Sequence, residues 1–221
     1  AIQAALTGHL VLSTLHTNSA PETVTRLLDM GMDPFNFADS LLVVLAQRLV
    51  RRLCTHCRVA EPATEAYLDE LARDYLYAFG KDNTVLSVEA VRADWQQRFA
   101  VEGVLNTYHS TGCEHCSQTG YSGRAGIHEL MSISRDLRRL IQTGSRAEEL
   151  QRQAMLEGMR TLRQDGIEKV LSGITSSRTY TESPSSTVTR TRLDTSVTLT
   201  DVDSANFDGG RLWVSVISSY P

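Results

Sequence analysis

Two tight cysteine pairs are the most explicit chemistry in this sequence: Cys54-Thr55-His56-Cys57 and Cys113-Glu114-His115-Cys116. Together they hold all four cysteines of the chain, so none is left over. In a secreted protein, four cysteines would suggest two disulfides. Nothing in the first 175 residues suggests secretion, and thiols in a reducing compartment stay reduced. Two C-x2-C knuckles then suit one tetrahedral Zn²⁺ held by the thiolates of Cys54, Cys57, Cys113 and Cys116. Unliganded or redox-active thiols are the other reading. The 55 residues between the pairs exceed the usual spacing of about 15–20. The metal would therefore clip the base of a subdomain. His56 and His115, inside the knuckles, read as exposed turn histidines, with metal ligation as the alternative.

A second polar group brackets an apolar run. His9 and His16 stand seven residues apart around Leu10-Val11-Leu12-Ser13-Thr14-Leu15. The run reads as a buried strand. Side chains alternate along a strand, so an odd spacing puts the two imidazoles on opposite faces. They do not form one metal pair, and on the residues alone loop backbone satisfies both. Arg48 reads as a stem packed along a helix. Arg124 reads as a turn residue facing a carboxylate, and Glu129 as an exposed strand residue rather than a base. Asp201, Asp203 and Asp208 offer hard oxygen ligands suited to Ca²⁺, or are solvated turn acids.

Holding these residues requires ordered elements. A helix over Ile2–Leu6 stops at Gly8. Asn18-Ser19-Ala20-Pro21-Glu22 opens a helix that ends near Gly31. Asp33-Pro34 opens another, expected to carry Leu41, Leu42, Leu45 and Leu49 on one face and to finish in Arg48, Arg51 and Arg52. Glu65–Phe79 and Val88–Phe99 read as amphipathic helices, and Gly123–Met131 as a strand after a glycine turn. Arg135–Ile141, Ala147–Leu156 and Leu162–Val170 read as short helices. Composition changes after Thr175: Ser and Thr dominate, and Ser196–Thr200 and Arg211–Val216 alternate as strands around Asp208-Gly209-Gly210. That pattern is a β-hairpin.

Composition excludes several classes. With 221 residues, one or two domains are expected. Hydrophobic residues at 41% and charged residues at 22% are ordinary globular usage. The longest apolar run, Leu41–Ala46, falls far short of the ~20 residues of a membrane span. A net charge of −4, with basic residues not interleaved with aromatics, argues against a nucleic-acid partner. The start lacks Met and a basic segment, so it reads as an internal piece rather than a signal peptide.

The segment Thr7-Gly8-His9-Leu10-Val11-Leu12-Ser13-Thr14-Leu15-His16-Thr17-Asn18 closely resembles the histidine box of the type II secretion and type IV pilus assembly ATPases. Further likenesses follow in order: Arg26–Gly31 as the next helix, Ala46–Cys54 as a helix into the first knuckle, and Gly112-Cys113 through Gly123-Arg124 as the second knuckle and its exit. Gly158–Arg163 and Lys169–Gly173 resemble the family's C-terminal helical signature. The likeness covers residues 1–175. The tail faintly resembles cadherin-like repeats through Leu199–Asp203 and Phe207–Gly210.

The resemblance implies an α/β fold: the C-terminal half of a RecA-like P-loop ATPase domain, a zinc-clipped helical insert, a small helical bundle, and a β-rich or disordered tail. The implied division is 1–53 for the ATPase core, 54–116 for the zinc subdomain, 117–175 for the C-terminal strand and bundle, and 176–221 for a tail unrelated to the rest. It implies ATP, Mg²⁺ and Zn²⁺, a homo-hexamer, inner-membrane platform proteins, and a cytoplasmic place at the bacterial inner membrane. His16 would face the γ-phosphate with His9 as a further catalytic candidate, Thr14 and Thr17 would donate hydrogen bonds nearby, and Arg48 could reach a neighbouring subunit's nucleotide. The phosphate loop G-x4-G-K-[ST] does not occur in these 221 residues. In the family it precedes the histidine box, so this polypeptide alone is expected to be inactive. With half the sheet elsewhere, an exposed strand edge is expected. The alternative is a non-catalytic, zinc-stabilised docking module.

Overall fold

The computed structural model describes residues 2–80 and 86–177, and the backbone of 212–217. In chain order the elements are α1 (Ile2–Leu6), β1 (Val11–Leu15), α2 (Ala20–Asp29), α3 (Pro34–Ser40), β2 (Leu41–Leu53) and β3 (Arg58–Pro62). Then come α4 (Glu65–Leu76), α5 (Val88–Phe99), β4 (Asn106–Ser110), β5 (Tyr121–Ser132), α6 (Arg135–Gln142), α7 (Ala147–Leu156), α8 (Leu162–Leu171) and β6 (Leu212–Ile217). Caps set the helix starts: Ser19, Asp33, Thr64, Ser87 and Ser134 each accept a first-turn N–H, and Pro21 and Pro34 sit where no N–H is needed.

The chain divides into two units. The first holds residues 2–48, 128–162 and 212–217, the second 49–80, 86–127 and 163–177, counting described residues. The first unit is built on a sheet of order β1-β6-β2-β5, in which β6 runs parallel to both neighbours. Val24, Phe37, Leu41, Val44, Leu137, Ile141 and Leu150 are almost wholly buried in it. Among the described residues β1 and β5 are the outer strands, and Leu12 of β1 is half exposed. The second unit has an antiparallel ladder pairing Arg58 with Ser110 through Pro62 with Asn106. Its core gathers Leu68 and Ala72 of α4, Val91 and Trp95 of α5, Leu105, and Ile167 and Leu171 of α8. Tyr75 meets the Trp95 ring edge-on at 5.5 Å.

Two expectations are corrected. The helix expected to run on from Pro34 through Arg52, and with it the helical reading of Ala46–Cys54, gives way at Leu41, where ψ turns to 127° and β2 begins. The run Leu-Leu-Val-Val-Leu-Ala satisfies helical spacing and also suits a strand buried on both faces; pairing with β6 over Leu41–Gln47 decides for the strand. Likewise, the strand expected at Arg211–Val216 is present as β6, but not as a hairpin arm. Both its edges are taken, by β1 and β2. The other expected arm, Ser196–Thr200, and the Asp201, Asp203 and Asp208 group lie outside the described residues.

Candidate functional site

The four cysteine sulfurs converge within the second unit. Cys54 Sγ lies 3.8 Å from Cys113 Sγ, Cys57 Sγ 3.8 Å from Cys116 Sγ, and Cys113 Sγ 3.7 Å from Cys116 Sγ. All four lie within 4.8 Å of one another. A zinc–thiolate bond of about 2.3 Å sets the edge of a tetrahedral sulfur shell at about 3.8 Å. The set could therefore hold one zinc ion. The long spacer is closed by the β3–β4 ladder. Its last pair, Arg58 with Ser110, delivers the two knuckles side by side. Cys54 N–H then donates to Gly120 C=O at 2.9 Å.

The turn of the second knuckle is tightly specified. Gly112 has φ +92°, and a Cβ there would stand 2.7 Å from the Gln118 carbonyl oxygen. Cys116 Sγ accepts from the N–H groups of Cys113 and Gly120, each at 3.2 Å. Burial opposes ionisation of Cys116, but these donors and its neighbouring thiols outweigh it and bring the thiol down to about 6. Burial and the adjacent sulfurs push Cys113 up to about 11. Cys113 and Cys116, packed against one another, are thus pushed apart in acidity, the ordinary outcome when like groups share one site. The rings of His56 and His115 stack with centroids 4.0 Å apart. Imidazole against imidazole, they flank the sulfurs from the two turns.

The histidine segment belongs to the first unit. β1 ends at Leu15, and three residues lead to the Ser19 cap of α2. His9, Thr14 and His16 are exposed. Thr7 Oγ1 lies 3.4 Å from His9 Nδ1. Thr17 turns inward: it is 8% exposed, and its hydroxyl meets Thr23 Oγ1 at 2.6 Å and donates to Ser19 C=O at 3.2 Å. Arg26 Nη1 donates to the His16 carbonyl at 3.0 Å. Arg48, now on a strand rather than a helix, donates through Nη2 to Asn18 Oδ1 at 3.3 Å. Burial lowers the Arg48 guanidinium from its usual value, and Glu22 partly opposes that. The structure thus brings Arg48 to the loop that carries His16, while Thr14 lies exposed on β1 and His9 exposed just before it.

Glu129 was read as an exposed strand residue, and the structure corrects this. It is 3% exposed, and its carboxylate accepts from Ala20 N–H at 2.7 Å and from Leu162 N–H at 3.3 Å. A signal was present in the sequence. Glu129 shares strand parity with Ile127 and Met131, both fully buried, so period-2 logic points it inward. Burial raises its carboxyl above the usual range, against the two amide donors, with Glu22 adding to the rise.

Among the described residues no helix is long and apolar enough to cross a membrane. The sequence profile of the type II/IV secretion system protein family matches residues 1–190. Similar proteins include the type IV pilus assembly ATPase TfpB of Acinetobacter baylyi, 43% identical over 176 residues, or 80% of this chain and 26% of that protein. The type II secretion system protein HxcR of Pseudomonas aeruginosa is 44% identical over 175 residues, 79% of this chain and 28% of its own length. The type II secretion system protein E of Klebsiella pneumoniae is 44% identical over 176 residues, 80% and 30%. The chain therefore spans less than a third of these relatives. With a match across most of its length, the chain belongs to the type II/IV secretion system protein family.

Proposed function

We propose that this chain is the C-terminal part of a hexameric motor ATPase that couples ATP hydrolysis to assembly of a pilus or pseudopilus and to protein secretion. The observation that carries the reading is the match over residues 1–190, with relatives above 40% identity named type IV pilus assembly ATPases. On this reading the first unit is the later half of a RecA-like core. His16 and Thr14 face the nucleotide phosphates. Thr17 and Asn18 fix the loop between them and α2, and Arg48 braces it through Asn18. His9 stands at the other end of β1. Mg²⁺ and most of the phosphate cradle come from sequence outside these residues. Partner subunits and the inner-membrane platform proteins complete the machine.

Cys54, Cys57, Cys113 and Cys116 hold one Zn²⁺, which supplies structure rather than chemistry: closed thiolate shells leave no open position. Phosphoryl transfer needs a phosphate cradle, a metal and a positioned nucleophile. This polypeptide alone offers at most helpers, so it should not turn over ATP.

The test joins the chain to the upstream segment of its own gene that carries a G-x4-G-K-[ST] loop. Magnesium-dependent hydrolysis should appear in the joined protein and fall at least about tenfold on His16→Ala, as expected when a group contacting transition-state charge is lost. Turnover by the 221-residue chain alone would overturn the reading. A second reading, a zinc-stabilised docking module, is supported by the separate core around Trp95. It takes over if no phosphate-loop segment lies upstream.

A further inference from the structure

Every N–H in the first turn of α2 is accounted for. Glu22 donates to the Ser19 hydroxyl, Thr23 donates to the Ser19 carbonyl, and Pro21 has no N–H. Ala20 remains, fully buried, and its N–H goes to Glu129 Oε1 at 2.7 Å. Without that acceptor a helix-start amide would be buried without a partner, which costs about 1–3 kcal/mol. The partner comes from β5, 109 residues away in sequence. The second oxygen of the same carboxylate takes the N–H of Leu162 at 3.3 Å, the first residue of α8.

From Ala20 back to His16 the chain has no slack. Thr17 is tied to Ser19 and to Thr23, and Arg26 of α2 holds the His16 carbonyl. His16, Thr17 and Ser19 are therefore bolted to α2, Asn18 is held by Arg48 of β2, and the start of α2 is bolted to Glu129. We infer that Glu129 is a positioning residue that sets the His16–Asn18 loop through the Ala20 amide. Its second oxygen links that loop to the first residue of α8. A displacement at either amide is then felt at the other, because both share one side chain. What the loop is positioned for rests on the motor reading above; the linkage itself does not.

The experiment records histidine ring and backbone amide NMR signals of the full chain for Glu129→Ala, Glu129→Gln and Ser134→Ala. Ser134→Ala removes a cap of α6 in the same unit and leaves the loop untouched, so it controls for plain destabilisation. Glu129→Ala should speed hydrogen exchange at Ala20 and Leu162 by about tenfold or more and move the His16 ring signals. His56 and His115 should stay in place. Glu129→Gln keeps the shape but can accept from only one of the two N–H groups: if Ala20 loses protection His16 should move, and if Ala20 stays protected Leu162 should exchange faster while His16 stays. If Glu129→Ala does not fold, Glu129→Gln alone decides. A folded variant whose Ala20 amide loses protection while its His16 signals stay at wild-type positions would overturn the inference. So would a His16 shift of equal size in Ser134→Ala. ATP with Mg²⁺ added to the joined protein separates the two proposals. If nucleotide leaves His16 unmoved, the motor role of that residue fails while the Glu129 linkage stands.

Discussion

The tetracysteine base and the His16 loop are both short turns at the ends of strands, yet they are finished to different degrees. At the cysteines, all four donor atoms come from this chain, and the N–H groups of Cys113 and Gly120 already point at Cys116. The site is closed. At His16 the inward side is just as complete, with Thr17, Thr23, Ser19, Arg26 and Glu129 each partnered. The outward side, His16 and Thr14, is exposed on an edge strand whose Leu12 is also half exposed. A structural centre needs nothing more than its own residues. On the proposed motor reading, His16 and Thr14 would meet nucleotide held mainly by other sequence.

The largest effect should follow loss of a thiolate. Losing an outer partner of a metal ligand costs about 10–100-fold in affinity, and losing a ligand costs more. Cys116→Ser, or a strong chelator, should reduce bound zinc from one per chain to none by elemental analysis. Protease cleavage should then rise within residues 54–116, because the ladder ends lose their clip. The His16 loop should show no comparable metal dependence. Equal protease resistance with and without chelator would remove the distinction between a closed and a shared site.

Next in size is Trp95→Ala. Trp95 is fully buried among Leu68, Ala72, Val91, Ile167 and Leu171. Such truncations cost about 3–5 kcal/mol. Denaturant melting followed by exchange at α4, α5 and α8 should show that loss. A cost below ~1 kcal/mol would mean that the metal, not this core, holds the second unit together.

How much of this could be read from the sequence differs between the regions for physical reasons. The cysteine spacing pointed to a set that could hold zinc, and the four sulfurs do converge within 4.8 Å of one another. What the spacing did not reveal was how 55 intervening residues still close. That depends on β3 and β4, five residues each, whose Arg-Val-Ala-Glu-Pro and Asn-Thr-Tyr-His-Ser lack strong alternation. Helices with polar caps and 3.6-residue periodicity were legible, α2 and α5 at both ends and α4 at its start, its last expected residues Tyr77–Phe79 forming a separate tighter turn. The run Leu41–Leu53 was not, since a doubly covered strand carries no period of its own. At the His16 loop the segment was legible and its wiring was not. Glu129 reaches Ala20 only through tertiary folding, and a single acid in a strand is easily taken as solvent-facing.

Thr17→Val tests that wiring directly. The buried Thr17–Thr23 hydroxyl pair at 2.6 Å would lose one member, leaving Thr23 with its bond to the Ser19 carbonyl. The expected cost is about 1 kcal/mol. More telling than the cost is its location: exchange should quicken at residues 16–20, with the cysteine knuckles unchanged. A cost spread over both regions would mean that the loop is not a separately held element.

The smallest expected effect is a pH dependence at Glu129. Its carboxyl is raised in the folded state, chiefly by burial, with Glu22 of α2 adding to the rise and the Ala20 and Leu162 amides opposing it. A raised folded value means that the native state holds this proton more tightly than the unfolded chain. The stability it contributes is therefore fully present below the unfolded carboxylate value and fades as pH rises through the folded one. Other carboxylates titrate in the same window, so the informative quantity is a difference. Wild type minus Glu129→Gln, from denaturant midpoints at a series of pH values, should decline as pH climbs out of the acid range and then level off. The amide variant supplies no proton to follow. A difference that rises with pH would mean that the two helix-start amides outweigh burial and favour the charged carboxylate. That outcome would make Glu129 a more strongly bound floor to the His16 loop and would bring this half-built site closer in character to the closed cysteine centre.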